Sequence, residues 1–164
     1  MGVECNMYAI QNKKIYRLNI SEDNLEIFTK SAEKVDSSFK EVKIQQGFFL
    51  SIIYTKEIKI SDIELAYELR YKVIFKGMEY DCLKVDSETL DLNYITIYTS
   101  DSDIAEKYGF KKKEQFIFDK NVSLDEIDAL IEIKKPILKF SFLKEKKITI
   151  VQKDVRAYLA TIIE

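Results

Sequence analysis

Leu69-Arg70-Tyr71-Lys72-Val73-Ile74-Phe75-Lys76-Gly77-Met78-Glu79-Tyr80-Asp81-Cys82-Leu83 is the stretch on which the fold class turns. Leu69, Tyr71, Val73 and Phe75 alternate with Arg70 and Lys72, the period of a half-buried strand. Gly77 takes positive φ without steric cost, so Lys76-Gly77 predicts a tight hairpin into Met78 to Leu83. Asp86-Ser87-Glu88 reads as the next turn, and Leu90 to Tyr98 as a third strand. A three-stranded antiparallel meander over 68–75, 79–85 and 90–98 follows, with Tyr71 and Phe75 in the core.

Outward from the meander, Ser100 and Asp103 predict a capped short helix ending at Gly109, with Phe110 packing back on it. Lys111-Lys112-Lys113 reads as a solvated turn and Gln115 to Lys120 as a strand. Ser123 and Glu126 form a second capping-box pattern, which predicts a helical turn ending before Pro136. Phe140 to Phe142 and Ile148 to Val151 suggest a hairpin around Lys144 to Lys147. Lys153 to Ile163 places Val155, Tyr158, Leu159 and Ile162 on one helical face. In the first sixty residues, Tyr8 to Ile10, Ile15 to Ile20 and Asn24 to Thr29 resemble short strands, and Phe48 to Tyr54 reads as a buried one. Residues 31–41 form a loop or a weak helix. The expected fold is α+β: a strand-rich antiparallel sheet with short helices and a C-terminal helix, in one domain over residues 1–164.

Composition narrows the chemistry. The chain has no histidine, so no Ser-His-Asp triad, Cys-His dyad or histidine metal cluster can be assembled. Two distant cysteines, Cys5 and Cys82, read as reduced thiols, Cys82 as a small core residue. The four glycines stand apart, so no phosphate-binding loop is formed. Asp91 to Asp103 lacks the central glycine and terminal glutamate of a calcium loop. No cofactor, metal or catalytic residue is expected, and the chain is read as a non-enzyme. The N-terminus lacks the basic and apolar regions of a secretory leader, and no apolar run reaches membrane-spanning length. The expected location is cytoplasmic, without membrane contact.

A formal net charge of −2 conceals strong segregation. From Glu79 to Glu106 there are eight acids against one lysine; from Lys134 to Lys153 there are seven lysines against one glutamate. The basic stretch has no arginine, and its lysines alternate with Phe140, Phe142, Ile148 and Ile150 as on the wet face of a strand, so nucleic acid is not an expected partner. The acidic stretch has a bland reading as solvated turns and caps. Its sharper reading is a surface that captures a basic protein, made of Glu79, Asp81, Asp86, Glu88, Asp91, Tyr94, Tyr98, Asp101 and Asp103.

The stretch from Tyr67-Glu68-Leu69-Arg70-Tyr71-Lys72-Val73 to Lys134-Lys135-Pro136-Ile137 resembles small immunity proteins of bacterial polymorphic-toxin and contact-dependent growth inhibition systems. Lys76-Gly77-Met78-Glu79-Tyr80, Ala105-Glu106-Lys107-Tyr108-Gly109-Phe110 and Val122-Ser123-Leu124-Asp125-Glu126-Ile127 carry the likeness in element order. The resemblance implies a cytoplasmic protein without catalytic residues that binds and neutralises a cognate toxin domain, with nuclease toxins suiting an acidic surface. Two other classes stay open: a non-catalytic adaptor or subunit of a larger assembly, which a large exposed apolar patch would favour, and an enzyme using only Asp, Glu, Lys, Tyr or Ser, which a deep pocket with converging carboxylates would favour.

Overall fold

A computed structural model describes residues 6–162. The described chain divides into two compact units. Among the described residues strand makes up 52%, almost all antiparallel, with three short helices, so the strand-rich expectation holds with more β than an α+β label suggests. No helix among the described residues is long and apolar enough to cross a membrane.

The first unit comprises residues 6–69 and 134–145. Strand β1 (Asn6–Gln11) turns through Asn12 and Lys13, both at positive φ, into β2 (Lys14–Ile20). Two left-handed residues are the turn geometry that matches the twist of the flanking strands. β3 (Leu25–Thr29) pairs with β2, and a 3-10 turn (Ala32–Lys34) leads to β4 (Lys40–Gln46) and β5 (Phe49–Ile58). The first half of β6 (Leu65–Phe75) completes the order β4-β5-β3-β2-β1-β6. One face holds a core of Ala9, Tyr16, Leu18, Ile27, Ile63 and Ala66, with Ile137 and Phe140 packed against it. The other face carries a cross-strand ladder. Lys134 lies over Tyr67 at 5.2 Å; Tyr67 stacks on Tyr8 at 5.6 Å; Arg17 lies over Tyr8 at 5.2 Å and Phe28 at 5.9 Å.

The expected buried strand at Phe48 to Tyr54 is corrected. The strand exists, but Phe49 and Leu50 are 79% and 60% exposed and Phe48 in the turn is fully exposed. The cause is pairing. β3 meets β5 only at Tyr54 to Ile58, so Phe49 to Ile53 has β4 alone beside it. Every residue of β4 is exposed.

The second unit comprises residues 70–133 and 146–162. The second half of β6 pairs with β7 (Met78–Cys82), through a turn with Lys76 and Gly77 at positive φ. Helix α1 (Glu88–Leu92), β8 (Tyr94–Thr99), α2 (Ser102–Tyr108), β9 (Lys111–Glu114) and β10 (Ile117–Ser123) follow, giving the order β6-β7-β8-β10-β9. β11 (Ala129–Pro136) pairs with β6 and with β12 (Lys146–Val151), and α3 (Gln152–Leu159) ends the unit. The core gathers Val73, Phe75, Tyr80, Ile95, Ile97, Ala105, Val122, Leu124, Leu130, Val155 and Leu159, with Tyr71 packed at its margin.

Several boundaries differ from the sequence reading. The strand expected from Leu90 begins at Tyr94, because Glu88 to Leu92 closes one helical turn that Asn93 ends in the left-handed region. The cap of α2 is Asp101 rather than Ser100; its carboxylate accepts from the Asp103 and Ile104 amides at 2.9 and 3.1 Å. Lys111 to Lys113 belongs to a strand, not a turn. Ser123 does accept from the Asp125 amide, but the chain makes only a turn and enters β11. Residues 129–133 are all buried, and burial on both faces selects a strand over a one-sided helix. Leu138–Phe140 is a 3-10 turn, so β12 pairs with β11 instead of with residues 140–142. The C-terminal helix buries Val155 and Leu159; its expected last residue, Ile163, lies outside the described residues, as does Cys5.

Candidate functional site

Strand parity assigns the nine acidic-surface residues to two groups. Ile95 and Ile97 of β8 enter the core, so Tyr94, Thr96 and Tyr98 take the opposite face. Tyr80 of β7 is likewise buried, leaving Glu79 and Asp81 exposed. Asp81 stands directly opposite Tyr98 across the ladder. Glu79, Asp81, Tyr94 and Tyr98 therefore share the outer face of the second unit's sheet.

The other five are elsewhere. Asp86 ties its own turn, accepting from the Glu88 amide at 2.9 Å and pairing with Lys84 at 3.1 Å. Glu88 and Asp91 lie on α1, Asp101 caps α2, and Asp103 sits in its first turn. Leu90, Ala105 and Val155 pack with Ile95 and Ile97, so these helices cover the inner face.

The outer face is also less acidic than its sequence. Lys72 is the cross-strand partner of Asp81 and reaches Glu79 at 3.2 Å and Asp81 at 3.8 Å. On the next strand Asp119 stands opposite Tyr98 and pairs with Lys113 at 3.5 Å. Thr96 donates to Asn121 at 2.7 Å. The result is a patch of two half-buried tyrosines within a mixed-charge frame. Burial, and after it the Asp81 charge, pushes the Tyr98 phenol upward, so Tyr98 stays a protonated donor near neutral pH.

A polar cluster that the sequence reading missed lies within the second unit. Glu132, 7% exposed on β11, accepts from the Tyr158 hydroxyl, and the Tyr71 hydroxyl is 2.7 Å from that of Tyr158. Burial foremost, then the bond to Glu132, holds the Tyr158 phenol far above its ordinary range. Tyr158 is thus a fixed proton donor, without the ionised oxygen a nucleophile or base needs. The available signal was a lone glutamate inside the apolar run Ala129-Leu130-Ile131-Glu132-Ile133.

Cys82 has a free thiol that donates to the Tyr71 carbonyl at 3.3 Å. Burial, with a smaller contribution from Asp81, pushes it up to about 12. A thiol so held is poorly nucleophilic. Among the described residues no group of three or more His, Cys, Asp or Glu is placed to hold a metal ion.

No curated protein and no solved structure matches the chain. Residues 3–140 match the model of a family described as "Uncharacterised conserved protein UCP033725", and the chain belongs to that family.

Proposed function

We propose that the chain acts by protein contact, as a non-enzymatic immunity protein that neutralises a basic toxin domain in the cytoplasm. The contact surface is the outer sheet face of the second unit. The observation that supports this reading is the juxtaposition of Tyr94 and Tyr98 with exposed Glu79 and Asp81. Tyrosine within a charged frame is the composition of an interface hot spot: large, stiff, and able to hydrogen-bond at its tip. The acids on α1 and α2 extend the negative potential that draws a basic partner in.

The test is affinity capture from the native cell, with proteins identified by mass spectrometry. Substituting Tyr98→Ala and Asp81→Lys should weaken capture of a basic partner by about tenfold or more. Glu88→Lys with Asp91→Lys should only slow association. The captured protein should arrest growth when expressed alone and be silent when co-expressed with this chain. Capture indifferent to Tyr98 and Asp81, or a partner harmless on its own, would refute the reading.

The second reading, a non-catalytic subunit of an assembly, is favoured by the exposed apolar hairpin of β4 and β5. It predicts that Phe48→Ser with Phe49→Ser releases the partner while the sheet-face variants retain it.

A further inference from the structure

The β4–β5 hairpin holds an unusual surface. From Ile44 to Thr55 there is no charged residue, yet Val42, Ile44, Phe48, Phe49, Leu50 and Ile52 are all more than a third exposed. β4 is the terminal strand of its sheet, with a single partner among the described residues. A seven-residue edge with apolar flanks is a template for adding another strand.

We propose that β4 is the edge through which two copies of this chain join, antiparallel about a two-fold axis at Val42. This goes beyond the neutralising role and does not use its sheet face. Register singles out this pairing. A two-fold axis perpendicular to a continuous sheet brings together side chains of the same face, so each residue must oppose one of the same parity. That leaves registers centred on single residues. Centring on Lys40, Glu41 or Lys43 sets a charge against its own copy, which is unfavourable in directly opposed pairs. Centring on Ile44 leaves Lys43 opposite Gln45 and forms no ion pair.

Centring on Val42 differs from all of these. Val42 meets Val42 of the second copy, and Glu41 meets the second copy's Lys43, twice by symmetry. Within each copy Val42 faces Ile53, and Lys43 faces Ile52. One face of the joined hairpins then carries an unbroken row, Ile53-Val42-Val42-Ile53, and the other carries Ile52-Lys43-Glu41-Tyr54. Charges that ward off a strand lacking complementary charge are matched by a second copy in this register. The same register sets Gln45 beside the second copy's Phe39, which extends the uncharged hairpin along that copy.

Sedimentation velocity of the full chain over a concentration series is the test, with circular dichroism confirming that each variant is folded. The expected result is a dimer. Glu41→Lys and Lys43→Glu should each weaken it about tenfold, because each turns two attractive pairs into two repulsive ones. The double variant restores the pairing with signs exchanged and should return to within about threefold of the original. Val42→Lys sets two lysines on the axis and should abolish the dimer. A chain that is monomeric at every concentration overturns the proposal, and so does a dimer that ignores both single reversals, which would point to β5 or another surface. A monomer that co-sediments with phosphatidylcholine–phosphatidylserine vesicles, and loses this with Phe48→Ser and Phe49→Ser, also overturns it and assigns the hairpin to a lipid surface.

Discussion

Replacing Tyr158 by phenylalanine removes one oxygen and leaves the ring packing intact, so it isolates the polar cluster in the second unit. Tyr158 donates to Glu132, and its oxygen accepts from the Tyr71 hydroxyl at 2.7 Å. A hydrogen bond to a carboxylate contributes about 1.5–3 kcal/mol, and one between neutral hydroxyls about 0.5–1.5 kcal/mol. Tyr158→Phe loses both, and Glu132 is only 7% exposed, so water does not replace the donor freely. The expected loss is about 2–4.5 kcal/mol. Tyr71→Phe breaks the outer bond while leaving the Tyr158–Glu132 bond in place, and the loss of that hydroxyl pair should cost about 0.5–1.5 kcal/mol. The two losses should not add. Once the Tyr158 oxygen is gone the bond between the two hydroxyls is already lost, so the double variant should cost less than the sum of the two single losses. Urea denaturation with unchanged m-values measures all three. The reasoning fails if Tyr71→Phe costs as much as Tyr158→Phe, or if the double variant shows the sum.

Asp101→Ala should destabilise the protein by about 1 kcal/mol and Ser100→Ala by far less, because only the Asp101 carboxylate caps α2; thermal melts of both variants decide it. The Cys82 thiol is raised from 9.0 to about 12, so folding favours its neutral form: the contribution is fully present below pH 9.0 and fades as pH rises toward 12. Wild type should therefore lose stability relative to Cys82→Ala across that window, and in a Cys5→Ser background Cys82 should resist a thiol reagent at pH 8 until urea unfolds the chain. A Cys82 that reacts at once in the native protein would contradict its burial.

Local rules made the β6–β7 hairpin and α2 readable. Period-two alternation and Gly77 located the first, and Gly109 with Phe110 ended the second in the geometry expected of a left-handed cap. The failures share a cause: each is a place where short-range signals favour one element and pairing chooses another. Ser123 and Glu126 announce a helix, yet residues 129–133 are wanted between β6 and β12. Leu90, Leu92 and Tyr94 alternate like a strand, although a five-residue helix is too short to display its own period. Phe49 to Ile53 has the composition of a core strand, and only the length of β3 leaves it uncovered. Of the candidate surface, Glu79 and Asp81 were legible from their alternation with Tyr80. Their neutralisation by Lys72 was legible as well, since a two-residue turn at Lys76-Gly77 sets Lys72 opposite Asp81. The split between sheet-face acids and helix acids was not, because it depends on which side of the sheet α1 and α2 pack.

The interleaving of the two units has a consequence for how the chain is made. Residues 70–133 are spelled out between the two pieces of the first unit, whose core has Ile137 and Phe140 packed against it. During synthesis the first unit lacks that cover, with β1 to β5 already emerged, until residue 140 leaves the ribosome. The second unit waits longer still, for Val155 and Leu159. Throughout that interval the uncharged hairpin at residues 44–55 is exposed on a chain whose two units are both incomplete, a period when unpaired strands are prone to wrong pairing. A gene fragment ending near residue 69 or residue 133 would prolong that state indefinitely, so truncation at either unit boundary is expected to yield aggregate rather than a smaller folded protein.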